Sequence, residues 1–266
     1  MISLLEKSLI RTNIWVAFCF TGLFVFFQLS LYEIIVSVWG IVFFGTLAIY
    51  NFSRIKSLHE FFQFRSGKKA QIILTYVGLL GALICVLLRG FEIKTFLYLG
   101  VLGFVSFCYS LPFSGLGLRA VPFLKLFLIA FVWAGSSIGL LLVVHHDVFQ
   151  YKLLFLSVFL FVMGITIPFD IRDSDSDEKE LKTIPQVIGT QKAKILAICS
   201  LILSGICLYL EFRDWTVPVL SWLFTILISL GLVAGSSVHK KDSYYSFWME
   251  ACSILPLIFY LALELV

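Results

Sequence analysis

The stretch from Ile167 to Gly189, IPFDIRDSDSDEKELKTIPQVIG, holds six of the chain's sixteen acidic residues: Asp170, Asp173, Asp175, Asp177, Glu178 and Glu180. On a helix turning about 100° per residue, Asp170, Asp173 and Asp177 fall at roughly 0°, 300° and 340°, and Asp175 at roughly 140°. Three carboxylates on one narrow face repel one another unless a cation lies among them. Oxygen-only ligation of that kind suits Mg²⁺, with a phosphate completing its shell. An EF-hand starting at Asp173, Asp175 and Asp177 fails, because Glu178 stands where the loop needs Gly and Ile184 where it needs the bidentate Glu. A solvated acidic helix end, with Lys179 and Lys182 as local partners, is the other reading, and composition leaves both open.

The elements that carry this face are apolar. Of the 266 residues 60% are hydrophobic and 17% aromatic, including 28 Phe, which places the chain among membrane proteins. A span needs about 20 mostly apolar residues, and roughly 17 suffice. Nine candidate spans result: 14–31, 34–50, 72–88, 95–111, 123–144, 152–169, 193–210, 216–235 and 245–263. With the N-terminus cytoplasmic, sixteen of the twenty Lys and Arg fall on the N-terminal side, and Arg89, Lys94, Lys152 and Arg213 on the other. That bias is the positive-inside pattern, and it places the acidic window at the cytoplasmic face. The net charge of +4 reflects this topology and gives no reason to expect a nucleic-acid partner. No cleavage signature follows the first apolar run, so that run is expected to be a retained span. The six cysteines sit within predicted spans without a CxxC pair and read as small buried residues. His145 and His146 read as parts of a short outer loop.

The segment DIRDSDSDEKELKTIPQVIG resembles the second aspartate-rich motif of the UbiA superfamily of intramembrane prenyltransferases. Its D-x-x-D-x-x-x-D run is matched by Asp170, Asp173 and Asp177, and the following K-T-hydrophobic-P-x-x-hydrophobic-G stretch by Lys182, Thr183, Pro185 and Gly189. The segment YSLPFSGLGLRAVPFLKLFLIAFVW is similar to the family's connection between its fourth and fifth helices, with Tyr109, Arg119 and Lys125 at matching places. The first motif, N-D-x-x-D-x-x-x-D, is met here by NFSRIKSLH: Asn51 is kept, but Phe52, Ile55 and His59 occupy the acidic positions. The same connection is basic, with Arg54, Lys56, Arg65, Lys68 and Lys69.

The resemblance implies an all-α bundle of about nine transmembrane helices around a central cavity open to the cytoplasmic side, formed by residues 1–266 as one domain. It also implies a multi-pass protein of the cell's inner membrane. The implied reaction is transfer of a prenyl group from a prenyl diphosphate to an aromatic or other lipophilic acceptor, with Mg²⁺ neutralising the departing diphosphate. Asp170, Asp173 and Asp177 are then the metal ligands. Asn51, Arg54, Lys68, Lys69, Arg119, Lys125 and Lys182 are candidates for the diphosphate, with Tyr109 as a further candidate site residue. Arg and Lys offset diphosphate charge and donate hydrogen bonds, so the basic connection is suited to replace the missing carboxylates. The same cations also satisfy the positive-inside pattern alone. Three functions are compatible with these residues: an active transferase with a one-sided metal site, a non-catalytic relative that binds an isoprenoid diphosphate or lipid, and an unrelated transporter. The spans hold few ionisable groups, Glu250 among them, and no inverted repeat of broken helices, which makes transport the weakest.

Overall fold

The apolar runs are helices in the computed structural model, which describes residues 4–55, 68–90, 92–110, 124–147, 150–174 and 182–265. Asp177 and Arg119, proposed above for the site, lie outside the described residues, as do His59 and Asp175. In chain order the helices are α1 (Leu4–Arg11), α2 (Ile14–Leu31), α3 (Val36–Phe52), α4 (Lys69–Arg89), α5 (Ile93–Ser110), α6 (Leu124–Val144), α7 (Lys152–Asp173), α8 (Ile184–Ile188), α9 (Thr190–Phe212), α10 (Val217–Ala234) and α11 (Leu255–Glu264). Six of them, α2, α4, α6, α7, α9 and α10, are long and apolar enough to cross a membrane; α3, α5 and α11 are apolar but shorter. The last run, read from sequence as one helix over 245–263, is broken. A π-helical stretch, Tyr244–Met249, leads to turns at 252–254, and α11 starts only with Pro256 in its first turn. Proline has no N–H to give to the preceding turn, so the break lies where it would have continued the ladder.

The helices pack as a ring. Helix α2 contacts α3, α3 contacts α4 and α5, α5 contacts α6, and the ring runs on through α7, α9, α10 and α11 back to α2. Two crossings are tight. A Cβ on Gly78 of α4 would stand 2.7 Å from the Ala48 nitrogen and the Phe44 carbonyl of α3, and one on Gly164 of α7 would stand 2.7 Å from Leu201 Cγ of α9. Small residues let helices approach where lipid supplies no hydrophobic drive, and buried hydroxyls add interhelical bonds. Ser157 Oγ donates to the Ser204 carbonyl at 2.8 Å, Ser204 Oγ returns a bond to the Ser157 carbonyl at 2.7 Å, and Trp222 Nε1 donates to Ser204 Oγ at 3.2 Å. Through these bonds α7, α9 and α10 are clamped in one register. In α6, Gly135–Gly139 is π-helical, and the Gly135 carbonyl accepts both the Leu140 N–H and the Tyr98 hydroxyl of α5, the latter at 2.9 Å.

Candidate active site

At one end of the ring the helices part around a cavity of about 630 Å³. The ends of α3 and α7 and the starts of α2, α4 and α6 meet there, and the π-helical stretch before Glu250 closes the remaining side. This is the end that carries Asp170 and Asp173.

Helix α7 brings Asp170 and Asp173 to the cavity, as their spacing predicts. Asp170 is 2% exposed, and its Oδ1 accepts a bond from Lys125 Nζ of α6 at 2.6 Å. A carboxylate this deep needs such a partner, because burying an unpaired charge costs several kcal/mol, about 3–5 when one member of a buried pair is removed. Asp173 lies one turn later and is held by Arg172 in a two-bond fork, Nε to Oδ1 at 2.6 Å and Nη2 to Oδ2 at 2.8 Å. The same guanidinium lies 5.5 Å from the centroids of both the Phe169 and Tyr245 rings. Tyr245 is itself fixed, donating to the Ser237 carbonyl at 2.7 Å and accepting from the Ser237 N–H at 2.9 Å. The planar guanidinium suits both a fork and a ring face, so Arg172 is a rigid cation beside Asp173.

The opposite wall is basic. Arg54, just past α3, and Lys68, just before α4, both line the cavity, and Lys68 Nζ donates to the Arg54 carbonyl, tying the two helix ends together. Burial, and then the nearby Arg172 charge, push Arg54 below the usual arginine value, with Glu250 acting the other way. Among the described residues four cations (Arg54, Lys68, Lys125, Arg172) face three carboxylates (Asp170, Asp173, Glu250), a balance that favours an anion.

The other sequence candidates divide. Asn51 is fully buried and does not line the cavity. Its amide donates to the Thr12 and Leu47 carbonyls, both at 2.9 Å, and its oxygen accepts from Asn13 Nδ2 at 3.1 Å. It thus fixes the turn before α2 against the end of α3, and Asn13, with φ 56°, is the residue of that pair at the cavity wall. Lys69 and Lys182 are exposed and outside the lining; Tyr109 is half-buried and also outside it. Phe52 and Ile55, at the positions of the missing carboxylates, form a separate packing cluster with Ile72 and Tyr76, and Phe52 stacks on Phe107 of α5 at 5.4 Å. Sequence reasoning missed Arg172 and Glu250 as cavity residues. For Glu250 the signal was its place within an apolar run, where an ionisable group points to a site by default.

Among the described residues no three His, Cys, Asp or Glu side chains come together as a metal-binding group. Asp170 and Asp173 nonetheless border one cavity with oxygen donors only. That set fits a single Mg²⁺ which keeps water and draws its remaining ligands from a phosphate.

Two solved structures share this fold: a UbiA homologue from Archaeoglobus fulgidus bound to DMAPP and Mg²⁺, and a UbiA homologue from the same organism bound to GPP and Mg²⁺. Each matches with a TM-score of 0.65 over 97% of this chain and 98% of the other, at 14% sequence identity. No family model and no curated protein matches the sequence. The chain has the UbiA fold, and with six helices long and apolar enough to span a bilayer it is a multi-pass membrane protein.

Proposed function

We propose that this protein is a UbiA-like prenyltransferase that moves a prenyl group from a prenyl diphosphate to a lipophilic acceptor. The observation that carries this reading is the pairing, in one cavity of that fold, of the Asp170–Asp173 face with a wall of cations. Asp170 and Asp173, with Asp177 beyond them in sequence, would hold one Mg²⁺. When bound, the metal neutralises charge as the donor's C–O bond breaks. Arg54 and Lys68 receive the diphosphate from the other side and take the role that carboxylates of a first motif would have given to a second metal. Lys125 and Arg172 hold the two aspartates until the substrate arrives and then have a phosphate within reach. Trp133 and Tyr50 mark the inner end of the cavity and also border a smaller pocket of about 80 Å³ between α3, α5 and α6, where an isoprenoid tail leaves the polar end. The positive-inside pattern supports a cytoplasmic position for this end and for the N-terminus.

The packing of Phe52 and Ile55 into a closed cluster favours a second reading, a relative that binds the diphosphate and does not turn it over. One experiment separates them. Purified protein is titrated with DMAPP and GPP, with and without Mg²⁺, and pyrophosphate release is followed. Saturable binding with release supports the transferase; saturable binding without release supports the binding protein. No saturable binding sinks both.

A further inference from the structure

We propose that Glu250 binds the acceptor in this reaction, accepting a hydrogen bond from a neutral phenolic hydroxyl and taking its proton as the new bond forms. The inference rests on the transferase reading above and concerns its second substrate. Glu250 lines the same cavity as Asp170 and Asp173. It differs from them in having no cation within ion-pair distance among the described residues: Lys125 is on Asp170 and Arg172 on Asp173.

The backbone fixes Glu250 in that place. The π-helical stretch Tyr244–Met249 adds a residue to the turn and rotates the residues after it by about 100°. The Phe247 carbonyl in that stretch accepts the Glu250 N–H and also Trp15 Nε1–H, the latter at 3.1 Å. Trp15 stacks on Phe247, with centroids 4.6 Å apart and planes 8° from parallel. An indole thus pins the carbonyl from which Glu250 hangs, and its ring forms part of the cavity wall.

A carboxylate that carries no cation among the described residues adds nothing to the binding of a diphosphate, so its place in this cavity points to the other substrate. The group it fits is a hydrogen-bond donor without negative charge; an acceptor bearing its own carboxylate is repelled. Trp15, Tyr50 and Trp133 give the cavity aromatic walls, which suit a planar ring. The step balances within these parts. The donor's C–O bond breaks, and its electron pair leaves with the diphosphate. The phenol's hydroxyl proton passes to a Glu250 oxygen, and the electron pair left on the phenolate forms the bond to the allylic carbon. Protonated Glu250 then returns the proton to water at the open end of the cavity.

The test uses the full chain in detergent and two neutral probes, a long-chain alkylphenol and its methyl ether, with binding read from tryptophan fluorescence. The wild type should bind the phenol about tenfold more tightly than the ether, the worth of one hydrogen bond to a charged acceptor. Glu250→Gln should lose most of that preference while leaving GPP affinity unchanged or tighter. Glu250→Asp, which keeps the charge but draws it back by a methylene, should lose the preference severalfold. The proposal is overturned if the wild type does not distinguish phenol from ether, or if Glu250→Gln or Glu250→Asp distinguishes them as well as the wild type. A matching loss of GPP affinity in Glu250→Gln also overturns it, since Glu250 would then serve the donor. If GPP itself does not bind the wild type, the transferase reading falls, while the phenol-to-ether ratio still decides whether Glu250 is a hydroxyl site.

Discussion

Replacing Lys125 by Met should make the protein depend on a divalent cation for its stability. Lys125 Nζ lies 2.6 Å from Asp170 Oδ1, and the Asp170 side chain is 3% exposed. At an effective dielectric constant of about 20, the gross attraction at that distance is on the order of 6 kcal/mol. Desolvation offsets much of it, and removing one partner of a buried pair costs about 3–5 kcal/mol. Lys125 is 20% exposed, so the lower end, about 3 kcal/mol, is expected. Methionine keeps the volume and removes the charge that Lys125 sets against Asp170. If Mg²⁺ binds there, a concentration of about 100 times its dissociation constant restores roughly 2.7 kcal/mol. The assay is unfolding in mixed micelles with and without Mg²⁺ for wild type, Lys125→Met, Asp170→Asn and the double variant. The single Lys125 variant should be rescued by Mg²⁺, and the double variant should be neither so destabilised nor rescued. Equal Mg²⁺ responses in the wild type and Lys125→Met would show that Lys125 and the metal do not share Asp170, and the reasoning would fail.

Three further outcomes are expected. Arg54→Gln and Lys68→Gln should each weaken GPP binding by about 1–3 kcal/mol, as expected for a charge-assisted hydrogen bond, whereas Lys69→Gln, at an exposed position outside the cavity, should leave titration curves unchanged. Phe52→Asp or Ile55→Asp should not rebuild a metal site. Both positions are buried in an apolar cluster, so each variant should lose several kcal/mol of stability and show no added Mg²⁺ binding by calorimetry. Gly78→Ala should cost about 1–3 kcal/mol in the same unfolding assay, because the new Cβ meets backbone atoms of α3 that have no rotamer to change.

Much of this arrangement was legible in the residues. Apolar run lengths located most of the helices, and the 170/173 spacing put two carboxylates on one side of α7, where both border the cavity. The loss of the first acidic set was equally plain, but not its consequence. Nothing in the letters NFSRIKSLH says that Phe52 and Ile55 cluster with Ile72 or that Phe52 stacks on Phe107, because those contacts come from α4 and α5. Asn51 was read as a ligand from its place in a motif, whereas a buried amide must first satisfy its own hydrogen bonds, and its partners at Thr12 and Asn13 are far away in sequence. Arg172 lies roughly 200° from Asp170 on a helical wheel, which hides it. Its long side chain folds back to Asp173 and over Tyr245, a move that helical periodicity does not encode. The break before α11 had a signal in Pro256, but the π-helical stretch that aims Glu250 into the cavity had none.

The most direct test of the central claim is anomalous diffraction from crystals grown with GPP and Mn²⁺, an octahedral oxygen-liganded substitute for Mg²⁺. The expected result is a manganese peak about 2.0–2.2 Å from carboxylate oxygens of Asp170 or Asp173, with the diphosphate between that ion and Arg54 and Lys68. A diphosphate bound elsewhere, or a peak away from α7 with Lys125 still paired to Asp170, would contradict it.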